Sequence, residues 1–291
     1  MALSLLIILV VIGVSAAAPE LTRLRDFDWF RRWVEALSRQ LNLNVLWTHG
    51  LGLLITVGLP TLLVLLVHRA LGSAIFGLIG ILIAAIVLYY SWGPRDLDAD
   101  VSDLATATDP ELRQRALAAL GASAEDNQPA DRVELVFHQA LKRWFGVLFW
   151  FVLFGPAAAI GFRLVQLLND SKQIANQLPL PQVEAARRLY EALAFLPAQL
   201  MTGALALAGD FNAVSKAWRE HHASHGQGLL HLDLGFLTAT GMACIEYQDV
   251  DEVEDADPRE QVAEQALQLV WRVLVVWLTV LAVIVLARLL G

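Results

Sequence analysis

The sequence predicts an all-α, multi-pass membrane protein with four or five spans and additional interfacial or re-entrant amphipathic helices. Its residues are 57% hydrophobic and only 17% charged, with a mean hydropathy of +0.54, whereas soluble domains average about a quarter charged residues. Residues 53–67 and 273–286 carry no charged side chain, as a segment in hydrocarbon requires. Tryptophans recur near the ends of the apolar runs, where an interfacial aromatic belt is expected: Trp47, Trp92, Trp144, Trp150, Trp271 and Trp277. Four of them could equally be core residues, but the repeated placement favours the belt.

The first predicted helix runs from Ala2 to Ala18. Its Ser-Ala-Ala-Ala ending at 15–18 is also typical of a signal-peptide cleavage site. No Lys or Arg precedes the apolar run, and this favours an uncleaved helix.

The next two spans, Val45 to Val67 and Ala74 to Trp92, form a predicted antiparallel hairpin, because only the short turn 68–72 separates them. Pro60 is expected to kink its helix rather than end it. Small residues at the turn, Ser73, Gly77 and Gly80, favour a close approach of the two helices.

Two further strong spans are Trp144 to Leu168, interrupted by Gly155-Pro156, and Val270 to Leu290. Two weaker candidates are Ala192 to Ala208, which contains Pro197 and Gln199, and Leu229 to Ile245, which begins with polar residues. Either weak segment could cross the membrane, lie in the interface or re-enter.

Polar segments separate the spans. We expect one helical membrane domain over 1–291, within which 93–143 is a cytoplasmic helical segment and 210–268 is polar and amphipathic. Residues 20–44 show helical amphipathic spacing. Residues 248–260 are an acidic run, within which Asp249 to Asp257 is expected to be a solvated linker.

Arginine counts predict the orientation. Residues 20–44 and 95–143 are rich in Arg and Lys, whereas the 68–72 turn contains only Arg69. The positive-inside rule therefore puts both rich segments in the cytoplasm and the N-terminus outside. Residues 172–191 would then be periplasmic if the Trp144 to Leu168 segment crosses fully.

Several function classes are excluded or unsupported. The net charge of −8 gives no broad basic face for nucleic acid. Cys244 is the only cysteine, so neither an internal disulfide nor a multi-cysteine metal site can form. No P-loop, dinucleotide fingerprint, nucleophile elbow or kinase motif is present, and no cofactor is expected.

Three ordered stretches carry a family resemblance. They are Trp92-Gly93-Pro94-Arg95-Asp96-Leu97; residues 144–151 running into Gly155-Pro156-Ala157 and Phe162-Arg163-Leu164; and residues 195–200 followed by 207–211. Together they resemble the AmpE family of inner-membrane proteins, which is distantly similar to the CobD/CbiB cobinamide-phosphate synthases. The resemblance implies a multi-pass protein of the bacterial inner membrane. It further implies a signalling or regulatory role between cell-wall recycling and β-lactamase induction, with no catalytic step firmly attached.

The chain departs from the synthase branch at a position of chemical importance. Pro197-Ala198-Gln199 stands where the synthases have Pro-Ala-Arg, and the loss of that Arg removes a natural phosphate ligand. The Asn169-Asp170 pair is only a weak counterpart of the synthase pattern. An enzyme of this type remains the alternative function, and it requires Arg95, Arg163, Asn169, Asp170 and Asp210 to converge on one cavity.

The candidate binding residues each have a structural alternative. Arg95 could bind an anionic lipid, a phosphate or a partner carboxylate with Asp96 orienting it, or it could be an interfacial arginine after a helix stop. Arg163, inside a predicted span, could line a polar cavity or extend to the nearby interface. His138 could transfer protons near the headgroups or be an ordinary residue of an amphipathic helix.

A histidine-rich stretch comprises His221, His222, His225, His231 and Asp233. His221 and His225 are one helical turn apart, which suits a metal. The His-Glu-x-x-His signature is absent, so we expect a polar helix end and no metal.

These observations predict a non-enzymatic regulator or scaffold. Its expected partners are the lipid bilayer, another envelope protein and a possible anionic small molecule, but no nucleic acid. The residues selected as ligand- or partner-binding are Arg95, Asp96, His138, Arg163, Asn169, Asp170, Gln199 and Asp210.

Overall fold

A computed structural model describes residues 2–41, 47, 49–72, 77–93, 96–107, 109–122, 128–224, 232–245 and 258–290. All regular structure in these residues is helical, which confirms the all-α class. The helices, in chain order, are α1 (Ala2–Ala17), α2 (Asp28–Leu41), α3 (Leu59–Leu71), α4 (Leu78–Ser91), α5 (Leu97–Thr106), α6 (Pro110–Leu120), α7 (Pro129–Ala140), α8 (Gly146–Phe154), α9 (Pro156–Asp170), α10 (Lys172–Ala175), α11 (Leu180–Ala208), α12 (Phe211–Ser224), α13 (Gly235–Cys244) and α14 (Pro258–Leu290).

The chain divides into two compact units. Unit 1 comprises Met1–Pro94 and Gly146–Ala194, and unit 2 comprises Arg95–Phe145 and Phe195–Gly291. The single membrane domain predicted over 1–291 stays a prediction, as does the cytoplasmic side assigned to 93–143.

Within the described residues, three helical segments are long and apolar enough to cross a membrane: Leu54–Leu71, Leu180–Ala208 and Arg259–Leu290. The count rises to four if Ala2–Ala17 and Glu20–Leu41, bent by 110°, form one span. Helix α4 has only 14 residues, about 21 Å at 1.5 Å per residue, which is less than the ~30 Å of a hydrocarbon core.

The two segments judged weak from sequence have different outcomes. Ala192 to Ala208 is the second half of the 29-residue helix α11, which passes as a candidate span. The described part of Leu229 to Ile245 forms the 10-residue helix α13, which is too short to cross.

Pro60 does not end its segment, as predicted, and the kink itself stays a prediction. A π-helical turn, Leu54–Gly58, leads directly into α3. Because Pro60 has no N–H, it cannot donate to the carbonyl of Thr56 four residues earlier. The indole Nε1 of Trp33 donates to that carbonyl instead, at 3.1 Å.

The predicted turn at 68–72 is wrong, because α3 continues through Leu71. Its apolar periodicity persists past His68, and no breaker precedes Gly72. The role given to small residues is confirmed at Gly80, where a Cβ would lie 2.8 Å from the Gly72 carbonyl oxygen. Ser73 lies outside the described residues.

The predicted fourth span is instead a pair of helices that fold back at Gly155. The Trp150 Nε1 donates to the Leu193 carbonyl at 3.1 Å, and the Phe162 ring lies 6.1 Å from that of Tyr190. A continuous helix would separate Trp150 from Phe162 by about 18 Å along its axis, whereas their partners are one turn apart on α11. Gly155 makes this reversal with φ 84° and ψ −166°, a conformation essentially restricted to glycine.

The fold-back changes the predicted location of residues 172–191. Ser38 Oγ donates to the Gln177 carbonyl at 2.9 Å, and Gln182 Nε2 donates to the Trp47 carbonyl. Gln177 therefore lies beside Ser38 of α2, and Gln182 lies beside Trp47, on the side of unit 1 expected to be cytoplasmic. The periplasmic location expected from a full crossing does not apply.

Several tryptophans assigned to an interfacial belt belong to the interior. Trp47, Trp92 and Trp144 are buried. Trp144 packs against Trp271, with 5.0 Å between ring centroids. Such rings fill large core volumes, so the position of a tryptophan near the end of an apolar run does not by itself identify an interface.

Candidate functional site

Arg163 is the most deeply buried of the selected residues, with 1% of its surface exposed. A guanidinium cannot be deprotonated, so its burial requires polar partners. It donates from Nη1 to Gln166 Oε1, one helical turn later on α9. The guanidinium carbon lies 5.6 Å from the Phe27 ring centroid, a cation–π contact. Arg163 is thus held inside unit 1 and does not extend along the helix surface.

The polar chain continues to Asn169 and Asp170. Gln166 Nε2 donates to Asp170 Oδ2 at 3.2 Å, and Asn169 Nδ2 donates to Asp170 Oδ1 at 3.2 Å. Three selected residues therefore belong to one hydrogen-bonded line along α9, from the buried Arg163 to the exposed Asp170. Sequence analysis missed Gln166, although its i+3 spacing from Arg163 was visible.

A second buried arginine of unit 1, Arg25, was not singled out from the sequence. It donates to the Gly93 carbonyl at 3.1 Å and to Ser15 Oγ at 2.6 Å. Its guanidinium carbon lies 4.2 Å from the Tyr89 ring centroid. Arg25 thereby joins the end of α1 to the end of α4, which is a structural role.

Of the pair Arg95 and Asp96, only Asp96 is within the described residues. It precedes α5 in an extended conformation, and its side chain makes no capping hydrogen bond. Two residues later, Asp98 Oδ1 accepts from Trp271 Nε1 at 2.7 Å. Burial raises the pKa of Asp98, against the lowering effect of this hydrogen bond.

His138 lies on α7 and lines a pocket of about 220 Å³ in unit 2. Asp131, Glu134 and Lys142 line the same pocket. Charges of both signs surround the imidazole, so this pocket is not selective for an anion. An ordinary amphipathic-helix position explains His138.

Gln199 joins two helices of unit 2 at the wall of a groove. Its Oε1 accepts from Trp218 Nε1 at 3.1 Å, which connects α11 to α12. The groove has a volume of about 550 Å³ and is lined by Gln199, Thr202, Gly203, Ala206, Phe211, Asn212, Val214, Ser215, Trp218 and Arg219. Gln199 and Phe211 of the third resemblance stretch therefore line a concave surface.

Asp210 caps the N-terminus of α12. Its Oδ1 accepts from the backbone N–H groups of Asn212 at 2.8 Å and Ala213 at 3.1 Å, as an N-cap residue does. It also lines a separate pocket of about 450 Å³ with Cys244, Gln265 and Arg272. The hydrogen bonds account for Asp210 without a ligand.

Among the described residues, the selected side chains of a unit do not line one common pocket of those identified. Unit 1 brings Arg163, Asn169 and Asp170 together, whereas His138, Gln199 and Asp210 line three different pockets of unit 2.

In the histidine-rich stretch, His221 Nε2 lies 3.1 Å from Asp233 Oδ2, and His225 and His231 fall outside the described residues. Within the described ranges, no group of three His, Cys, Asp or Glu side chains could hold a metal ion.

Comparison of the chain with family models, with curated proteins and with solved structures finds no match.

Proposed function

We propose that this chain is a multi-pass protein of a bacterial inner membrane that regulates or scaffolds cell-wall stress signalling and β-lactamase induction by binding another envelope protein. The pathway comes from the resemblance to the AmpE family in the three stretches between Trp92 and Phe211. Membrane insertion is supported by the three candidate spans. The best window of Arg259–Leu290 has a mean hydropathy of 2.8, and its exposed side chains include Val283, Leu286 and Leu289.

The groove beside Gln199 is the structural feature that supports binding of a partner protein. Phe211, which lines the groove, is 62% exposed, and Leu207, which follows the lining residue Ala206 in the sequence, is 71% exposed. Clustered exposed apolar groups at a concave surface are typical of a protein interaction site. The charged residue of the groove lining is Arg219; Lys216, three residues earlier on α12, has its ammonium 3.9 Å from Glu220.

The groove therefore suits an amphipathic helix of another envelope protein. The apolar face of that helix would cover Leu207 and Phe211. A carboxylate would meet Arg219, which is exposed and, within the described residues, donates from Nε to the Ser215 carbonyl. Gln199 is already hydrogen-bonded to Trp218, so it would shape the groove wall.

The test places a photo-crosslinking amino acid at Phe211 in cells induced with a β-lactam. We expect one specific crosslinked envelope protein, and we expect Phe211→Ala to weaken its binding about thirtyfold, as loss of a central aromatic anchor does. Induction of β-lactamase should fall in the same variant. The matched control is Leu112, an exposed apolar residue on α6, where neither the crosslinker nor Leu112→Ala should have these effects.

Two results would contradict the proposal. One is equal crosslinking at Phe211 and Leu112. The other is a purified protein that has no partner and carries a stoichiometric phosphorylated small molecule, which would favour the CobD-like enzyme.

A further inference from the structure

A cavity of about 580 Å³ lies in unit 1 where α3 ends and α4 begins. Its polar side chains are Ser4 of α1 and the consecutive His68 and Arg69 of α3. Glycines and apolar residues form the rest of the wall: Leu3, Ile7, Gly72, Gly77, Gly80, Ile81, Ala84, Phe151, Gly155 and Pro156. We call it the hairpin cavity.

The cavity has positive charge and no carboxylate. Arg69 is exposed and makes no ion pair within the described residues. The sequence of the lining helices explains this, because residues 2–17, 59–71, 78–91 and 146–169 contain no Asp or Glu. A guanidinium is always charged, so its counter-ion at this position has to come from outside these helices.

His68 supplies a second polar group. Its Nδ1 is buried, and no hydrogen-bond partner for it exists among the described residues. A buried polar atom without a partner costs about 1–3 kcal/mol unless a water or a ligand satisfies it. In the tautomer that carries the proton on Nδ1, this atom donates a hydrogen bond.

Two helices begin at the same wall. Helix α4 begins at Leu78 after Gly77, and α9 begins at Pro156 after Gly155. At the start of α4 the Ile81 amide donates to the Gly77 carbonyl at 3.1 Å. The N-terminal end of a helix dipole favours an anion.

We propose that the hairpin cavity binds a phosphate-type oxyanion, with Arg69 as its counter-ion and His68 beside it in the cavity wall. Two sources share this chemistry, the phosphodiester of an anionic lipid headgroup and a free phosphate ester. The lipid source rests on the proposed membrane location, whereas the free source does not. Neither depends on the partner groove, so a negative result at either site leaves the other proposal standing.

The experiment titrates purified, delipidated protein in mild detergent and counts bound molecules by native mass spectrometry. The probes are dioleoylphosphatidylglycerol, dioleoylglycerol with the same chains but no phosphate, and glycerol 1-phosphate. We expect one tightly bound phosphatidylglycerol and much weaker binding of dioleoylglycerol. Arg69→Gln should weaken the phosphatidylglycerol site about tenfold to a hundredfold through the loss of a charge-assisted hydrogen bond, and His68→Gln should weaken it less.

The matched control is Arg288→Gln, which removes an exposed arginine from the last turn of α14, where none of the described pockets lies. This variant should bind as wild type does. If the dissociation constant of glycerol 1-phosphate is within tenfold of that of phosphatidylglycerol, the natural ligand is a free phosphate ester. If only phosphatidylglycerol binds, the natural ligand is a lipid headgroup. Equal weakening by Arg69→Gln and Arg288→Gln, or equal binding of dioleoylglycerol, would overturn the proposal. Unchanged melting temperatures identify both variants as folded.

Discussion

At the scale of single residues, the charged side chains of the interior are used to hold helices together. Arg143 donates from Nη1 to Asp100 Oδ2 at 2.6 Å, and both side chains are almost fully buried. Arg143 also donates to Gln139 Oε1 at 3.0 Å and to the Ala119 carbonyl at 3.1 Å. This network connects α5, α6 and α7 within unit 2.

Asp100→Asn should therefore lower the free energy of unfolding by about 3–5 kcal/mol, because it leaves a buried guanidinium without its counter-charge. Replacing both partners, in Asp100→Leu with Arg143→Met, should recover much of the loss. The measurement is denaturant unfolding of the purified protein in detergent. Breaking the exposed Glu35–Arg39 pair is the control, expected to cost under about 1 kcal/mol. An equal, small cost for both pairs would contradict this account.

Two tryptophans satisfy carbonyl groups that prolines leave without a donor. Trp33 donates to Thr56, four residues before Pro60, and Trp150 donates to Leu193, four residues before Pro197. The spacing is the same in both cases because a proline at position i has no N–H to donate to the carbonyl of residue i−4. An indole N–H is a donor without acceptor capacity, which suits this position.

Trp33→Phe should cost about 1–3 kcal/mol, the penalty of an unsatisfied buried carbonyl. In a Pro60→Ala background the cost should shrink, because the new amide at position 60 can donate to the Thr56 carbonyl. A double-mutant cycle on the free energy of unfolding measures this coupling. Additive effects of the two substitutions would show that the indole does not replace the missing donor.

At the scale of elements, the reversal at Gly155 depends on one backbone conformation. A Cβ at Gly155 would meet no atom within 4 Å, so the cost of Gly155→Ala is conformational and should amount to about 1–3 kcal/mol. The control is Gly203→Ala inside α11, where the added Cβ also meets nothing within 4 Å. That substitution should be neutral or stabilise by up to about 1 kcal/mol. Equal effects in a thermal unfolding series would contradict the assigned role of Gly155.

The sequence patterns predicted which residues form helices better than they predicted whether the chain continues or reverses between two helices. The break at Gly155-Pro156 was visible in the sequence, but a crossing and a reversal share the same apolar pattern. Only the φ and ψ of Gly155, set by tertiary packing, decide between them. In the same way, Pro197 and Gln199 made Ala192 to Ala208 look marginal, because their partners Trp150 and Trp218 are distant in sequence.

The candidate site was predicted in part. A charged residue within an apolar helix is costly, which was enough to single out Arg163. Its partner Gln166 and the pair of Asp100 with Arg143 went unnoticed, because uncharged or interfacial residues carry no such signal. The groove around Gln199 depends on the packing of α11 against α12, which periodicity does not encode.

At the scale of the whole molecule, the account predicts which side of the membrane each segment faces. The 68–72 end of α3 carries one arginine and is expected outside, whereas residues 20–44 are arginine-rich and expected in the cytoplasm. Because the chain reverses its direction at Gly155, Gln173 is expected on the same side of the membrane as Gln40.

The most direct measurement labels single cysteines with a membrane-impermeant maleimide in a Cys244→Ser background, at the exposed positions Ala70, Gln40 and Gln173. We predict that Ala70→Cys reacts in intact spheroplasts, and that Gln40→Cys and Gln173→Cys react only after permeabilisation. Labelling of Gln173→Cys from outside would contradict the reversal, and protection of all three positions would contradict the membrane-spanning arrangement.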